Sequence, residues 1–178
     1  EILQLGNIGK EDFSEEAYFD VIRKKTAALF KVSSQSGAVS VGAVQEEVMK
    51  AGLLGEMIGI AFQIKDDIFD YFESSELGKP TGNDMLEGKL TLPALYVLNQ
   101  TGDDSLKQTA LKIRSLEASK EEIANFVETV KEKGGIEYAT RMMYEFRDKA
   151  LALVPASVDS SLKEALTAYI DYVIERNK

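Results

Sequence analysis

Four polar side chains could bind a cation because they recur at helical spacing: Gln63, Asp66, Asp67 and Asp70. Positions i, i+3, i+4 and i+7 share one face of an α-helix. The residues around them, 53–72, are apolar on nearly every face, which predicts a buried helix rather than a surface helix. Carboxylates on such a helix repel one another and lose hydration, so they stay ionised only where positive charge is close. The spacing therefore predicts a cation site.

The composition restricts which cation this site would bind. The chain contains no His and no Cys, which removes the usual nitrogen and sulfur ligands of zinc, copper and iron. Oxygen ligands suit Mg²⁺, Mn²⁺ or Ca²⁺, and the helical spacing differs from that of a calcium-binding EF-hand loop. Mg²⁺ commonly takes one or two carboxylates and completes its coordination with water and substrate phosphates. We therefore expect Mg²⁺, with Mn²⁺ as the alternative, bridging to a phosphorylated ligand. A solvated acidic helix end without a metal is the other interpretation.

A long loop rich in glycine follows the acidic helix and carries two lysines. Lys79 and Lys89 lie downstream of the carboxylates, and lysine is a point-charge donor to phosphate oxygens. Neighbouring glycines let the backbone approach a ligand closely. The loop is not a nucleotide-binding P-loop, because five residues rather than four separate Gly82 from Gly88, and Leu90 follows the lysine. Phosphate binding is thus one interpretation, and a surface loop with solvated lysines is the other.

Four blocks of sequence, in order, resemble the C-terminal half of the trans-polyprenyl diphosphate synthases. The blocks are Lys25-Thr26-Ala27, Phe62-Gln63-x-x-Asp66-Asp67-x-x-Asp70, Gly78-Lys79-Pro80-x-Gly82-Asn83-Asp84 and Glu87-Gly88-Lys89-x-Thr91-Leu92-Pro93. The resemblance covers about residues 12–98, and ordered blocks are far more specific than one short motif. The loop is more similar to the long-chain, octaprenyl-type synthases than to the farnesyl or geranylgeranyl ones.

The resemblance implies a fold and a metal site. The fold is all-α, the isoprenoid synthase helical bundle, of which this chain would be a C-terminal part with about eight helices. In that family the second aspartate-rich motif holds Mg²⁺ against the diphosphate of the allylic substrate. The residues that match this metal site are Asp66, Asp67 and Asp70, with Asp84 as an acid of the loop.

The resemblance also implies catalytic and substrate-binding residues. Lys25, Lys79 and Lys89 match residues that contact the diphosphate, whereas Gln63 and Thr26 match polar residues near the departing group. The implied reaction is ionisation of an allylic prenyl diphosphate, attack by isopentenyl diphosphate on the carbocation, and loss of a proton. Members of the family are often homodimers.

The chain departs from the family pattern in one respect. The family carries two aspartate-rich motifs on facing helices, and this sequence contains one. We therefore expect half a site, which binds Mg²⁺ and diphosphate weakly and does not elongate prenyl chains alone. Two alternatives stay open at this point: a non-catalytic or regulatory subunit of a heteromeric prenyl synthase, and a class I terpene cyclase.

Composition sets the remaining expectations. The chain has 178 residues, 44% of them hydrophobic, which predicts a single domain over 1–178. Within it we expect the half-site in 12–100 and packing helices in 101–178. The net charge of −9 argues against nucleic acid or an anionic membrane as a partner. No apolar run has the length of a transmembrane helix, and the lack of Cys is consistent with the cytoplasm.

The apolar periodicity predicts helices throughout the chain. Asp12 or Ser14 would cap the first, Ser119 and Glu122 would form a capping box, and the Gly55 and Gly59 pair would permit close helix packing. The predicted helices run from the first cap to about Ser33, then Ala38–Lys50, Gly52–Phe72, Thr91–Gln100, Asp104–Arg114, Ser119–Lys133, Ile136–Leu153 and Asp159–Arg176.

Overall fold

The computed structural model describes residues 13–72 and 81–175, and these contain helices, turns and no strand, so the all-α prediction is confirmed. Within those ranges, no helix combines the length and the apolar character needed to cross a membrane. The helices are α1 (Glu15–Ile22), a π-helical segment (Arg23–Ala27), α2 (Ala28–Ser40), α3 (Gln45–Phe69), α4 (Asn83–Leu86), α5 (Leu92–Thr101), α6 (Asp104–Arg114), α7 (Lys120–Glu132), α8 (Gly135–Ala152) and α9 (Ser160–Glu175).

The chain folds into two compact units, each built from two separate stretches of sequence. The first unit takes its described residues from Glu1–Val21 and Asp66–Thr140. The second unit takes them from Ile22–Lys65 and Arg141–Lys178. The prediction of one domain over 1–178, with a half-site in 12–100, stays a prediction.

The boundary between α2 and α3 differs from the sequence prediction. We predicted helices at Ala38–Lys50 and Gly52–Phe72, whereas α2 ends at Ser40 and α3 runs without a break from Gln45 to Phe69. The turn between them contains Gly42 in the left-handed region, with φ of +75°. Gly52 lies inside α3, and a Cβ at this position would approach the Gln35 side chain to 2.7 Å. This glycine allows close packing rather than ending a helix, so the predicted boundary was wrong.

The first unit has a continuous apolar core, to which α4, α5, α6 and α7 all contribute. Helix α7 packs against α5 and α6, and the short helix α4 packs against α6 and α7. The predicted capping box of α7 is confirmed, because Glu122 N–H donates to Ser119 Oγ at 3.2 Å and Ser119 N–H donates to Glu122 Oε2 at 2.8 Å. The buried residues of this core are Tyr71, Met85, Ala94, Val97, Leu98, Leu106, Ala110, Ile113, Ile123, Phe126, Val127 and Val130.

The second unit brings the π-helical segment directly against α3. A Cβ at Gly59 would lie 2.6 Å from the Cα of Ala27, which is fully buried. A Cβ at Gly55 would lie 2.5 Å from the carbonyl oxygen of Phe30. Real Cβ atoms do not approach backbone this closely, so only glycine fits at both positions. The close packing predicted from this glycine pair is confirmed.

We expect Gly59→Ala to lower the free energy of unfolding by about 1–3 kcal/mol, because the added methyl group meets backbone that cannot move aside cheaply. Gly37→Ala is the matched control: Gly37 also lies in a helix, but nothing surrounds its Cβ position within 4 Å. Alanine there should be neutral or stabilise by up to about 1 kcal/mol. Urea unfolding followed by circular dichroism measures both variants, and equal midpoints would contradict the close contact.

Candidate functional site

In the first unit, the acidic residue at the centre of the motif is held by a buried tyrosine. Asp67 is only 4% exposed, and the Tyr18 hydroxyl donates a hydrogen bond of 2.6 Å to its Oδ2. Burial, and then the charge of Asp67, raise the pKa of Tyr18, so the tyrosine is a neutral donor at physiological pH. Short hydrogen bonds to a carboxylate are among the stronger ones in proteins. No spacing signal in the sequence links Tyr18 to Asp67, because the two residues are 49 positions apart.

Asp70, the residue directly after α3, connects the end of that helix to residues 82–84. Its two carboxylate oxygens accept backbone hydrogen bonds from Asn83 at 3.0 Å and Asp84 at 3.1 Å. Its own carbonyl accepts from the N–H of Gly82 at 2.8 Å. Gly82 has φ of +77°, and a Cβ there would meet Ile123 at 2.9 Å, so the turn requires glycine. The carboxylate thus positions the start of α4, and with it Asp84.

The Asp70 carboxyl lies where negative charge is unfavourable. Burial is the largest cause and the charge of Asp84 the second, and together they raise the pKa of Asp70 to about 6. The backbone N–H donors of Asp84 and Asn83 oppose this shift but do not cancel it. A crowded acidic site of this kind would be stabilised by a cation.

Lys89, one of the two loop lysines predicted to bind phosphate, lies beside these acids. Its Nζ lies 3.8 Å from Asp84 Oδ1 and also pairs with Glu87. The hydrogen bond with Glu87 is the largest cause of the raised pKa of Lys89, and the charges of Asp84 and Asp67 contribute as well. Lys89 is therefore charged and close to the acidic end of α3. Lys79, the other predicted lysine of the loop, lies outside the described residues.

The predicted metal ligands do not form a ready-made cage. Among the residues that the structure describes, no three acidic side chains lie close enough together to hold one ion. Asp67 faces Tyr18 and Asp70 faces backbone N–H groups, which accounts for their separation. The oxygen-only donor set nevertheless fits Mg²⁺, which needs one or two carboxylates when water and phosphate supply the rest. Metal binding by Asp66, Asp67, Asp70 and Asp84 stays a prediction.

In the second unit, two of the predicted substrate-binding residues contact each other. The Thr26 hydroxyl donates a hydrogen bond of 2.6 Å to Gln63 Oε1, joining the π-helical segment to α3. Lys25 precedes Thr26 in the same segment and is exposed. The sequence carries no signal for the π-helical geometry, because the extra residue per turn depends on tertiary contacts. Such segments occur frequently at functional sites.

The fold and these blocks of residues are those of the prenyl synthases. The sequence pattern of the family described as polyprenyl synthetase matches residues 1–130. The chain belongs to this family.

Three similar proteins illustrate the relationship. The octaprenyl diphosphate synthase of Escherichia coli is 31% identical over 100% of this chain and 55% of its own length. Component 2 of the heptaprenyl diphosphate synthase of Geobacillus stearothermophilus is 34% identical over 96% of this chain and 53% of its own length. The crystal structure of a geranylgeranyl pyrophosphate synthase from Bacteroides thetaiotaomicron has a TM-score of 0.93 and 56% identity, over 98% of this chain and 58% of that one. The chain therefore spans about half the length of these relatives.

We expect the Asp70 carboxyl to titrate near pH 6 in Mg²⁺-free buffer, as measured by carboxyl ¹³C NMR. Asp84→Asn should lower that pKa because it removes a neighbouring negative charge. Folded Asp70 keeps its proton above the ordinary value of 3.8, so its contribution to the free energy of unfolding falls as pH rises from there to about 6. Asp104→Asn, an exposed acid in the first turn of α6, should leave the titration unchanged. A pKa of Asp70 near 3.8 in the parent protein would contradict the effect ascribed to burial and to Asp84.

Proposed function

We propose that this chain supplies the diphosphate half-site of a prenyl diphosphate synthase, which transfers an allylic prenyl group onto isopentenyl diphosphate. The observation that carries the proposal is the acidic end of α3, where Asp70 has a raised pKa and Lys89 lies 3.8 Å from Asp84. A site that combines crowded carboxylates with a charged lysine suits a ligand made of a divalent cation and a diphosphate. Membership of the polyprenyl synthetase family supports the same substrate class.

The reaction needs charge stabilisation rather than a nucleophilic side chain. The allylic carbon–oxygen bond breaks, and its electron pair leaves with the diphosphate. The double bond of isopentenyl diphosphate then attacks the allylic cation, and a proton is lost. Under this proposal Lys25, Lys79 and Lys89 bind the leaving diphosphate and stabilise its growing negative charge. The Thr26 and Gln63 pair orients the substrate near the departing group.

Divalent metal belongs to this proposal through the acidic residues of the first unit. Asp66, Asp67, Asp70 and Asp84 would hold Mg²⁺, or Mn²⁺ in its place. When bound, the ion neutralises diphosphate charge and makes the diphosphate a better leaving group. Tyr18 would keep Asp67 in a fixed orientation, since its hydroxyl donates to Oδ2 at 2.6 Å.

Relatives whose names specify products of different lengths align over the same residues of this chain. They include an octaprenyl and a geranylgeranyl synthase, each matched over nearly the whole chain. This is the result we expect if these residues handle the diphosphate, which all such substrates share, rather than measure the prenyl chain. From the sequence of residues 78–93 we propose a long-chain product. We also propose a cytoplasmic location and a homodimeric intact enzyme.

The chain carries one aspartate-rich motif, so we propose that it does not elongate prenyl chains alone. The alternative is a dedicated subunit that requires a different partner chain. The relative named component 2 of a heptaprenyl diphosphate synthase supports considering such a heteromer.

A mixing experiment tests the proposal and separates the two arrangements. The 178-residue chain is assayed with farnesyl diphosphate, radiolabelled isopentenyl diphosphate and Mg²⁺. The assay is run with this chain alone and then with the part of the Bacteroides geranylgeranyl pyrophosphate synthase that lies outside the aligned region. We expect no elongation alone and elongation in the mixture. Binding of farnesyl diphosphate without elongation in any mixture would favour a regulatory subunit, and no Mg²⁺-dependent binding of a diphosphate would overturn the proposal.

In the active assembly, Asp67→Asn should lower the rate of prenyl transfer about 100-fold or more, corresponding to about 3 kcal/mol of transition-state stabilisation. Asparagine keeps an acceptor for Tyr18 but removes the charge that a metal requires. Asp66→Ala should have an effect of similar size. Asp104→Asn controls for loss of a carboxylate elsewhere in the chain, because Asp104 follows Asp103 as Asp67 follows Asp66 yet is exposed. Rates of the Asp67 variant within about tenfold of the parent would contradict the metal-binding role.

A further inference from the structure

Glu56 is a buried acid that the proposed chemistry does not use. It lies in α3, within the mostly apolar stretch 53–72, and is only 7% exposed. One carboxylate oxygen lies 3.1 Å from Nε of Arg23, and the other accepts a hydrogen bond of 2.7 Å from Nζ of Lys31. Both cations are about 40% exposed at the side chain, so the carboxylate is the buried member of the cluster.

Along the sequence, Arg23 and Lys31 flank Lys25 and Thr26, the two residues of the π-helical segment that the proposed function uses. Arg23 is the first residue of the π-helical segment, and Lys31 lies four residues beyond its last residue, Ala27. Lys25 and Thr26 lie between them. A single carboxylate thus connects the beginning of the segment with the helical turn that follows it.

Three residues on one face of α3 contact the segment in succession. Glu56, Gly59 and Gln63 stand at i, i+3 and i+7. Glu56 pairs with Arg23 before the turn, Gly59 leaves room for the backbone at Ala27, and Gln63 accepts the Thr26 hydrogen bond. The contacts therefore fix the segment at its start, at its end and at Thr26.

A π-helical turn contains an extra residue relative to an α-helical one. If the segment relaxed to α-helical geometry, the residues before it would rotate relative to those after it by about 100°, the angle per residue of an α-helix. That rotation would separate Arg23 from Lys31, because both now reach the same carboxylate. A bridge across the turn therefore favours the π-helical register. Buried ionic groups can specify one structural alternative in this way even where they add little net stability.

We propose that Glu56 is a positioning residue, which holds the register of the segment at Arg23–Ala27 so that Lys25 and Thr26 can bind the diphosphate. This inference rests on the proposed function of those two residues. Glu56 itself touches no substrate and acts through Arg23 and Lys31.

The test uses Glu56→Gln, which keeps the size of the side chain but removes its charge and one of its two acceptor oxygens. Glu46→Gln is the matched control, because Glu46 lies on the same helix and pairs with Lys50 at 2.7 Å, but at an exposed site. Lys31→Gln breaks the same ion pair at its more exposed partner, so the test remains possible if Glu56→Gln fails to fold. The first readout is amide hydrogen exchange at residues 23–27 in the 178-residue chain. We expect the amides to exchange about tenfold faster in Glu56→Gln and in Lys31→Gln, and at the parent rate in Glu46→Gln.

The second readout is the affinity for inorganic diphosphate in the presence of Mg²⁺, measured by ³¹P NMR with Lys25→Ala in a double-mutant cycle. We expect Lys25→Ala to weaken binding about tenfold in the parent but less than about twofold in Glu56→Gln, because the positioning is already lost. If Lys25→Ala leaves binding in the parent unchanged, the proposed function fails. If it weakens binding but its effect is additive with that of Glu56→Gln, or exchange at 23–27 matches the control, the positioning role of Glu56 is overturned while the proposed function stands.

Discussion

The two acids that α3 buries, Glu56 and Asp67, and the partly buried Asp70 just beyond its end each need a charged or hydrogen-bonding partner, and this requirement organises the contacts of that helix. In the second unit Glu56 is compensated by Arg23 and Lys31. In the first unit Asp67 receives a hydrogen bond from the Tyr18 hydroxyl, and Asp70 receives two from the backbone of the loop. Each partner comes from another part of the chain, so the buried acids determine which segments lie against the helix.

Under the proposed function, structural acids and metal-binding acids differ in how far their charge is compensated. Glu56 faces two full positive charges, which suits a fixed bridge. Asp70 faces neutral N–H groups and the negative charge of Asp84, and its pKa is raised to about 6. Folding alone would favour replacing such an acid with a neutral residue. Under the proposed function, a bound divalent cation would supply the positive charge that Asp70 lacks in this environment.

Sequence patterns predicted features that depend on neighbours along the chain: the all-helical fold, the capping box at Ser119 and the close packing at Gly59. They also predicted one helix carrying Gln63, Asp66 and Asp67, although Asp70 lies just past its end. They did not predict features that depend on distant contacts. The π-helical segment requires the packing of Ala27 against Gly59, and the roles of Tyr18 and Glu56 require partners on other helices. The glycine at 52 misled the prediction because a glycine that admits a neighbouring side chain looks, in sequence, like one that ends a helix.

Because the chain is acidic overall, binding of the proposed diphosphate substrate depends on the positions of a few cations. A protein with a net charge of −9 repels a diphosphate at long range, so attraction must arise from a few cations close to the site. Lys89 lies beside acids of the first unit, and Lys25 lies in a segment held by Glu56 of the second. Acids that compensate lysines too well would weaken diphosphate binding, whereas a bound divalent ion would offset the acids and leave the lysines available. Under the proposed function, metal and diphosphate should therefore bind cooperatively, because each reduces the electrostatic cost of the other.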